Sequence, residues 1–178
     1  MIMPLAAPVP GRLTCRARGF TLIELMVVLT IAALLLAIGV PTFRNASLGG
    51  RLSAAANNLL ASIQLARSEA IKRNLPVTVC ASSDGTTCAG GGGWEQGWIV
   101  VDSGATVIQR QEGLPAGYQM TQAGGTTPIA FQPIGIGATT AAITVCRDDP
   151  LGSQERVLSV RAAGYAHVTT TMTGVCPD

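Results

Sequence analysis

The sequence holds a single histidine, His167, and no two cysteines spaced as C-x-x-C. A structural zinc site draws its Cys and His ligands from such clusters, so a metal centre has little to build on. No serine stands in a G-x-S-x-G elbow, no two histidines share a helix face, and no strand-loop-helix phosphate motif occurs. The run Gly90–Gly93 is followed by Trp94 rather than Lys-Ser/Thr, which makes it a connection between strands and not a phosphate loop. These absences leave no constellation for catalysis, and neither an enzyme nor a cofactor is expected. His167, in "GYAHVTT", reads as a strand-surface residue. Asp148-Asp149 before Pro150 reads as a turn, with no ligand-rich loop around it for calcium.

Charge is also scarce, at 12% of residues, and its sign depends on where the chain begins. Twelve basic and ten acidic side chains give +2, but Arg12, Arg16 and Arg18 all precede residue 20. Without residues 1–19 the balance is 9 − 10 = −1. That balance excludes a strongly basic nucleic-acid-binding protein. The five cysteines respond to the same cut, because losing Cys15 leaves Cys80, Cys88, Cys146 and Cys176. An even count in an exported domain reads as two disulfides.

What the sequence does have is one long apolar run. Phe20 to Val40 is 21 residues in which Glu24 is the only charge. As a helix it spans about 31 Å, enough for a hydrocarbon core. A charge at the bilayer centre costs at least ~2.5–3.5 kcal/mol, so Glu24 needs a partner. A cleaved signal peptide has a shorter, uncharged core with an A-x-A-type exit, unlike "AIGVP". A plain anchor explains the length and leaves Glu24 alone. Cleavage just before Phe20 explains both. It places a new α-amino group four residues ahead of Glu24, where the helix dipole favours a carboxylate and a neighbouring chain's cationic N-terminus neutralises it.

The string "GFTLIELMVVLTIAALLLAIGVP" strongly resembles the class III signal of type IV pilins and type II secretion pseudopilins. The resemblance implies cleavage between Gly19 and Phe20 by the prepilin peptidase and N-methylation of Phe20. It also makes Glu24 the acidic assembly contact at the fifth mature position. The implied leader, residues 1–19, is longer than many of its kind.

Pro41 closes the run and is expected to kink the helix. Helical spacing then resumes. Leu52, Ala56, Leu59, Ile63, Ala66 and Ala70 form one stripe, with Arg51, Asn58, Gln64 and Lys72 off it and Arg67 at its edge. The helix should stop near Arg73-Asn74, ahead of Pro76. From there the pattern is β: "PVTVC", "GWIVVD", "TVIQRQ", "AITVC" and "RVLSV", with Asp84-Gly85 as a breaker. Trp94 and Trp98 read as core packing at a strand entrance. Asn45-Ala46-Ser47 fits a glycosylation sequon but lies on the helix just past the membrane, and is discounted. Four cysteines allow three pairings, between which sequence alone does not choose. We favour Cys80–Cys88, around the Asp84-Gly85 turn, and Cys146–Cys176, which fastens the tail. Loop entropy makes these worth about 2.6 and 3.7 kcal/mol.

A second stretch, "ASIQLARSEAIKRNLPVTVC…DG…C…W…GWIVV", closely resembles the GspH/FimT/FimU group of minor pilins and pseudopilins. Together the two resemblances cover residues 18–102. They imply an α+β, type IV pilin-like fold, a long N-terminal helix with a membrane-spanning first half, packed on antiparallel sheets. The implied organisation is a leader (1–19), a transmembrane and assembly helix (20–41), its amphipathic half (42–75) and a β-rich periplasmic domain (76–178). The implied function is that of a minor pilin at or near a pilus tip that helps prime assembly. Its partners would be the prepilin peptidase, other pilins and the inner membrane. A GspH-like pseudopilin of type II secretion is the alternative. A FimT-like DNA receptor is a further one, but the Gly-Arg-x-Arg pattern of such receptors is replaced here by Gly164–His167, with Arg161 the nearest basic residue. Nucleic acid is therefore not an expected partner.

Overall fold

Pro76 cannot continue a helix, and the residue that ends this one is Asn74, which adopts a left-handed φ of 53° after its N–H donates to the Ile71 carbonyl. The helix α1 (Leu22–Arg73) therefore stops where the proline demands. A computed structural model describes residues 19–135, 138–148, 154–173 and 176. The leader as far as residue 18, with Cys15, and the Asp149-Pro150 pair lie outside the described residues. The chain divides into two units, Met1–Thr42 and Phe43–Asp178, and α1 contributes to both.

In the second unit α1 is followed by β1 (Val77–Ala81), the short 3-10 turn η1 (Trp94–Gln96), β2 (Gly97–Asp102) and β3 (Val107–Glu112). Then come β4 (Tyr118–Gln122), β5 (Ile129–Phe131), β6 (Ala141–Arg147), β7 (Glu155–Val160) and β8 (Ala166–Thr171). They form two antiparallel four-stranded sheets, ordered β3-β2-β1-β5 and β4-β6-β7-β8. All five strands expected from the sequence are present. The unexpected three, β4, β5 and β8, are short or rich in Gln and Thr, so their alternation carries little apolar signal.

The helix stripe is the floor of the core. Leu52, Ala56, Leu59, Ile63, Ala66 and Ala70 are all buried, in one cluster with Val77, Val79 and Val100 of the first sheet and Ile143, Val145 and Leu158 of the second. Both tryptophans lie in that core, as their positions at a strand entrance suggested. Their indole N–H groups need partners there. Trp98 Nε1 donates to Ser62 Oγ at 2.9 Å, and Ser62 Oγ donates in turn to the Asn58 carbonyl at 3.0 Å. Trp94 Nε1 donates to Gln122 Oε1 at 3.0 Å. Ser62 is a buried polar residue on a stripe that otherwise reads as apolar, and it is there to satisfy Trp98.

The disulfides are Cys80–Cys88 and Cys146–Cys176, the favoured pairing. The smaller loop is shaped by Asp84. Its carboxylate accepts the backbone N–H groups of Thr86 and Thr87 at 2.8 and 2.9 Å and the Ser82 and Thr87 hydroxyls. Gly85 supplies the left-handed φ of 66° that the turn requires. The Thr87 and then the Thr86 backbone bonds hold the Asp84 carboxyl well below the usual carboxylate range. At the foot of α1, Arg73 bridges Glu69 and Asp102 at 2.6 and 3.3 Å, tying the helix end to β2.

Two predictions follow from this packing. Ser62→Ala leaves a buried indole N–H unpaired and should cost about 1–3 kcal/mol in urea unfolding of the full chain in detergent micelles, while adding Trp98→Phe should recover part of the loss. Asp84 titrates lower folded than unfolded, so its contribution is present above about pH 4, the ordinary carboxylate value, and is lost as pH falls towards the depressed one. Thermal melts of wild type should therefore fall more steeply below about pH 4 than those of Asp84→Asn.

Candidate assembly site

The first unit's described residues begin with Gly19 and Phe20, and Phe20 is 82% exposed. Thr21 is the N-cap of α1. Its carbonyl accepts the first helical bond, from Leu25 N–H at 3.1 Å, and its Oγ1 accepts the Glu24 N–H at 3.2 Å. Thr-Leu-Ile-Glu is thus a capping-box sequence, with the hydroxyl half of the box formed. The sequence signal for it is the Thr21/Glu24 spacing, which the expectation for Glu24 as a membrane charge did not include. Glu24 is exposed, and among the described residues no cation lies within ion-pair distance of it.

From Leu22 to Val40 the helix is long and apolar enough to cross a membrane, and nothing within this unit covers it. Leu22, Ile23, Leu25, Leu29, Leu34 and Leu35 are all exposed. The one hydroxyl in the run, Thr30, is satisfied internally by donating to the Val27 carbonyl at 2.8 Å, as a lipid-facing hydroxyl should be. Pro41 lies within α1.

The other candidates lie in the second unit. Gly164 has a left-handed φ of 75°, and a side chain there would meet the Gly135 carbonyl at 2.7 Å. Its own carbonyl accepts from Arg67 Nη1 at 3.2 Å. Tyr165 is exposed and stacks on His167 at 5.7 Å between ring centroids. Asp148 accepts a hydrogen bond from Gln119 at 3.0 Å. No group of three or more His, Cys, Asp or Glu side chains gathers among the described residues.

An exposed membrane-length helix whose continuation is buried against two antiparallel sheets defines a pilin-type subunit. The prokaryotic N-terminal methylation motif matches residues 14–40, which contain Gly19, Phe20 and Glu24. The family described as Type II transport protein GspH matches residues 55–164, well past residue 102. The chain belongs to that family, and is a minor pilin or pseudopilin of a type IV pilus or a type II secretion system. Among solved structures, the type IV minor pilin FimU of Pseudomonas aeruginosa strain PAO1 is similar in two crystal forms. One has a TM-score of 0.53 at 23% identity, covering 66% of this chain and 92% of that one. The other has 0.55 at 23%, covering 67% and 89%. The minor pseudopilin EpsH from the type 2 secretion system of Vibrio cholerae has a TM-score of 0.50 at 12% identity, covering 67% and 96%. These likenesses concern the fold. No curated protein matches the sequence.

The cap makes a specific prediction for the full chain in micelles. Thr21→Val should cost the helix start about 1 kcal/mol and accelerate hydrogen exchange at the Glu24 amide, while Thr21→Ser should leave that exchange close to wild type.

Proposed function

We propose that this chain is a minor pilin of a type IV pilus, incorporated at or near the filament tip and helping to prime assembly. The observation that carries the reading is Glu24, a single exposed carboxylate without a cation, three residues after the N-cap of an otherwise apolar, uncovered helix. The prepilin peptidase cuts between Gly19 and Phe20, and Phe20 is then N-methylated. The subunit waits in the inner membrane as a single-pass protein with its β-rich domain in the periplasm. On assembly, Glu24 neutralises the Phe20 ammonium of an adjoining subunit, while the apolar helix passes from lipid into a bundle of like helices. Both surroundings are apolar, so water never meets the helix. Pro41 removes one main-chain bond at the end of the run and kinks the helix between its two halves.

A second reading, the same device in a type II secretion pseudopilus, is favoured by the family description and by the likeness to EpsH. A DNA-receptor reading gains nothing from the charge of residues 20–178, 9 − 10 = −1.

The expected outcome for Glu24→Ala or Glu24→Val is normal membrane insertion with incorporation into sheared filaments reduced about tenfold or more, because the adjoining subunit's Phe20 ammonium then lacks a partner in apolar surroundings, where an unpaired charge costs ~2.5–3.5 kcal/mol. Normal incorporation of either variant would sink the reading. Mass spectrometry of the chain from its host should find a methylated Phe20 at the N-terminus, lost when the peptidase is deleted. Deleting the gene and comparing pilus yield with protein release into the medium separates the pilus from the secretion reading.

A further inference from the structure

Each outermost strand of a sheet presents unpaired N–H and C=O groups, and proteins blunt such edges with charges, bulges, short strands or covering groups. The described residues contain four such edges, and three are blunted. β3 carries Arg110 and Glu112 and a register shift opposite Val100/Val101. β5 is three residues long, and the outward main chain of Ala130 exchanges hydrogen bonds with Thr139, both at 3.4 Å. β4 is covered by η1, where Glu95 Oε2 accepts the Met120 N–H at 3.3 Å.

β8 has none of these devices. Ala166–Thr171 contains no Lys, Arg, Asp, Glu or Pro, and its register with β7 runs without a shift. The outward groups can be assigned from the alternation of an antiparallel ladder. Arg161 N–H donates to the Tyr165 carbonyl at 2.9 Å, which makes 161/165 a bonded pair. Ser159/His167, Val157/Thr169 and Glu155/Thr171 are then bonded pairs too, and the main-chain groups of Ala166, Val168 and Thr170 face away from β7. Beyond Thr171 the chain turns inward. Thr173 bonds Glu155 on β7 and Cys176 bonds Cys146 on β6, so these two described residues are held away from the outer edge.

One end of this edge is cationic and partly apolar. A groove of about 360 Å³ lies between α1 and the start of β8, lined by Arg67, Ile71 and Tyr165 among others. Arg67 bonds the Gly164 carbonyl, and no carboxylate among the described residues pairs with it or with the exposed Arg161. We propose that an extended segment of another filament subunit adds to β8 as a fifth strand, uncharged along β8 and bearing a carboxylate where it meets Arg67 and Arg161. The proposal rests on the pilin reading and names a contact beyond Glu24. Main-chain bonds supply the affinity of such a strand and its side chains the specificity. A second copy of this chain, paired β8 to β8 about a two-fold axis, would set the arginine end against Thr171, where the described carboxylate, Glu155, is buried and already accepts the Thr171 and Thr173 hydroxyls.

The test uses the full chain, in detergent micelles and in sheared filaments. In wild type the Val168 and Thr170 amides should exchange about tenfold or more slowly in filaments than in micelles. Thr170→Pro removes only an outward N–H, so its disulfides and melting should survive while incorporation falls about tenfold. Thr169→Pro breaks the ladder to β7 and should unfold the sheet instead. Arg67→Gln keeps a donor for Gly164 and should also lower incorporation. Equal exchange of both amides in the two states overturns the proposal, and this holds even if Thr170→Pro fails to fold. A folded Thr170→Pro that incorporates like wild type also overturns it. Protection that appears in micelles as protein concentration rises identifies a second copy as occupant and overturns the foreign strand. If wild type is absent from filaments, the pilin reading falls and this proposal with it. If wild type incorporates and Glu24→Ala does not, failure at β8 is the failure of this proposal alone.

Discussion

The domain depends on one helix stripe that both sheets share as a core. Ala56, Ala66 and Ala70 are buried with Leu52, Leu59 and Ile63 in the cluster that also holds side chains of both sheets. A polar group buried in such a cluster is costly unless it finds a partner inside. Trp98 does so on Ser62 and Trp94 on Gln122. These two bonds tie Trp98 to α1 and Trp94 to β4.

The same helix changes its side-chain pattern along its length. Between Leu22 and Val40 it is apolar all round, and after Phe43 it is apolar on one stripe only. The single charge of the first segment stands within the first turn, where the dipole and the Thr21 cap favour a carboxylate. A charge placed there is better tolerated in an apolar medium than one at mid-span. Assembly at the helix and strand addition at β8 would use different physics: charge neutralisation in an apolar medium in one case, main-chain hydrogen bonding at a wet edge in the other.

Much of this was legible in the chain itself. Period 3.6 from Leu52 to Ala70, the stop before Pro76, the five apolar strands and the pilin-type string from Gly19 to Pro41 are all local signals, and local signals survive in sequence because they repeat within a turn or two. The cysteine pairing was favoured from the Asp84-Gly85 turn and the need to fasten the tail, with three pairings open to sequence alone, and the favoured one is found. The strands that went unread, "YQMTQ", "IAF" and "AHVTTT", owe their conformation to neighbours: β4 to β6, β5 to β1 and β8 to β7.

By itself, then, the sequence determined a helix of membrane length with one carboxylate near its start, an amphipathic continuation and a β-rich, disulfide-bearing remainder. These follow from periodicity, hydropathy and residue chemistry, which need no partner to be read. Only the tertiary structure decided that Ser62 belongs to Trp98, that Thr139 and Glu95 close two sheet edges, and that no described residue closes the β8 edge. Each of these joins residues far apart in the chain, and strand order depends on which surfaces meet in the core, something no window of sequence contains.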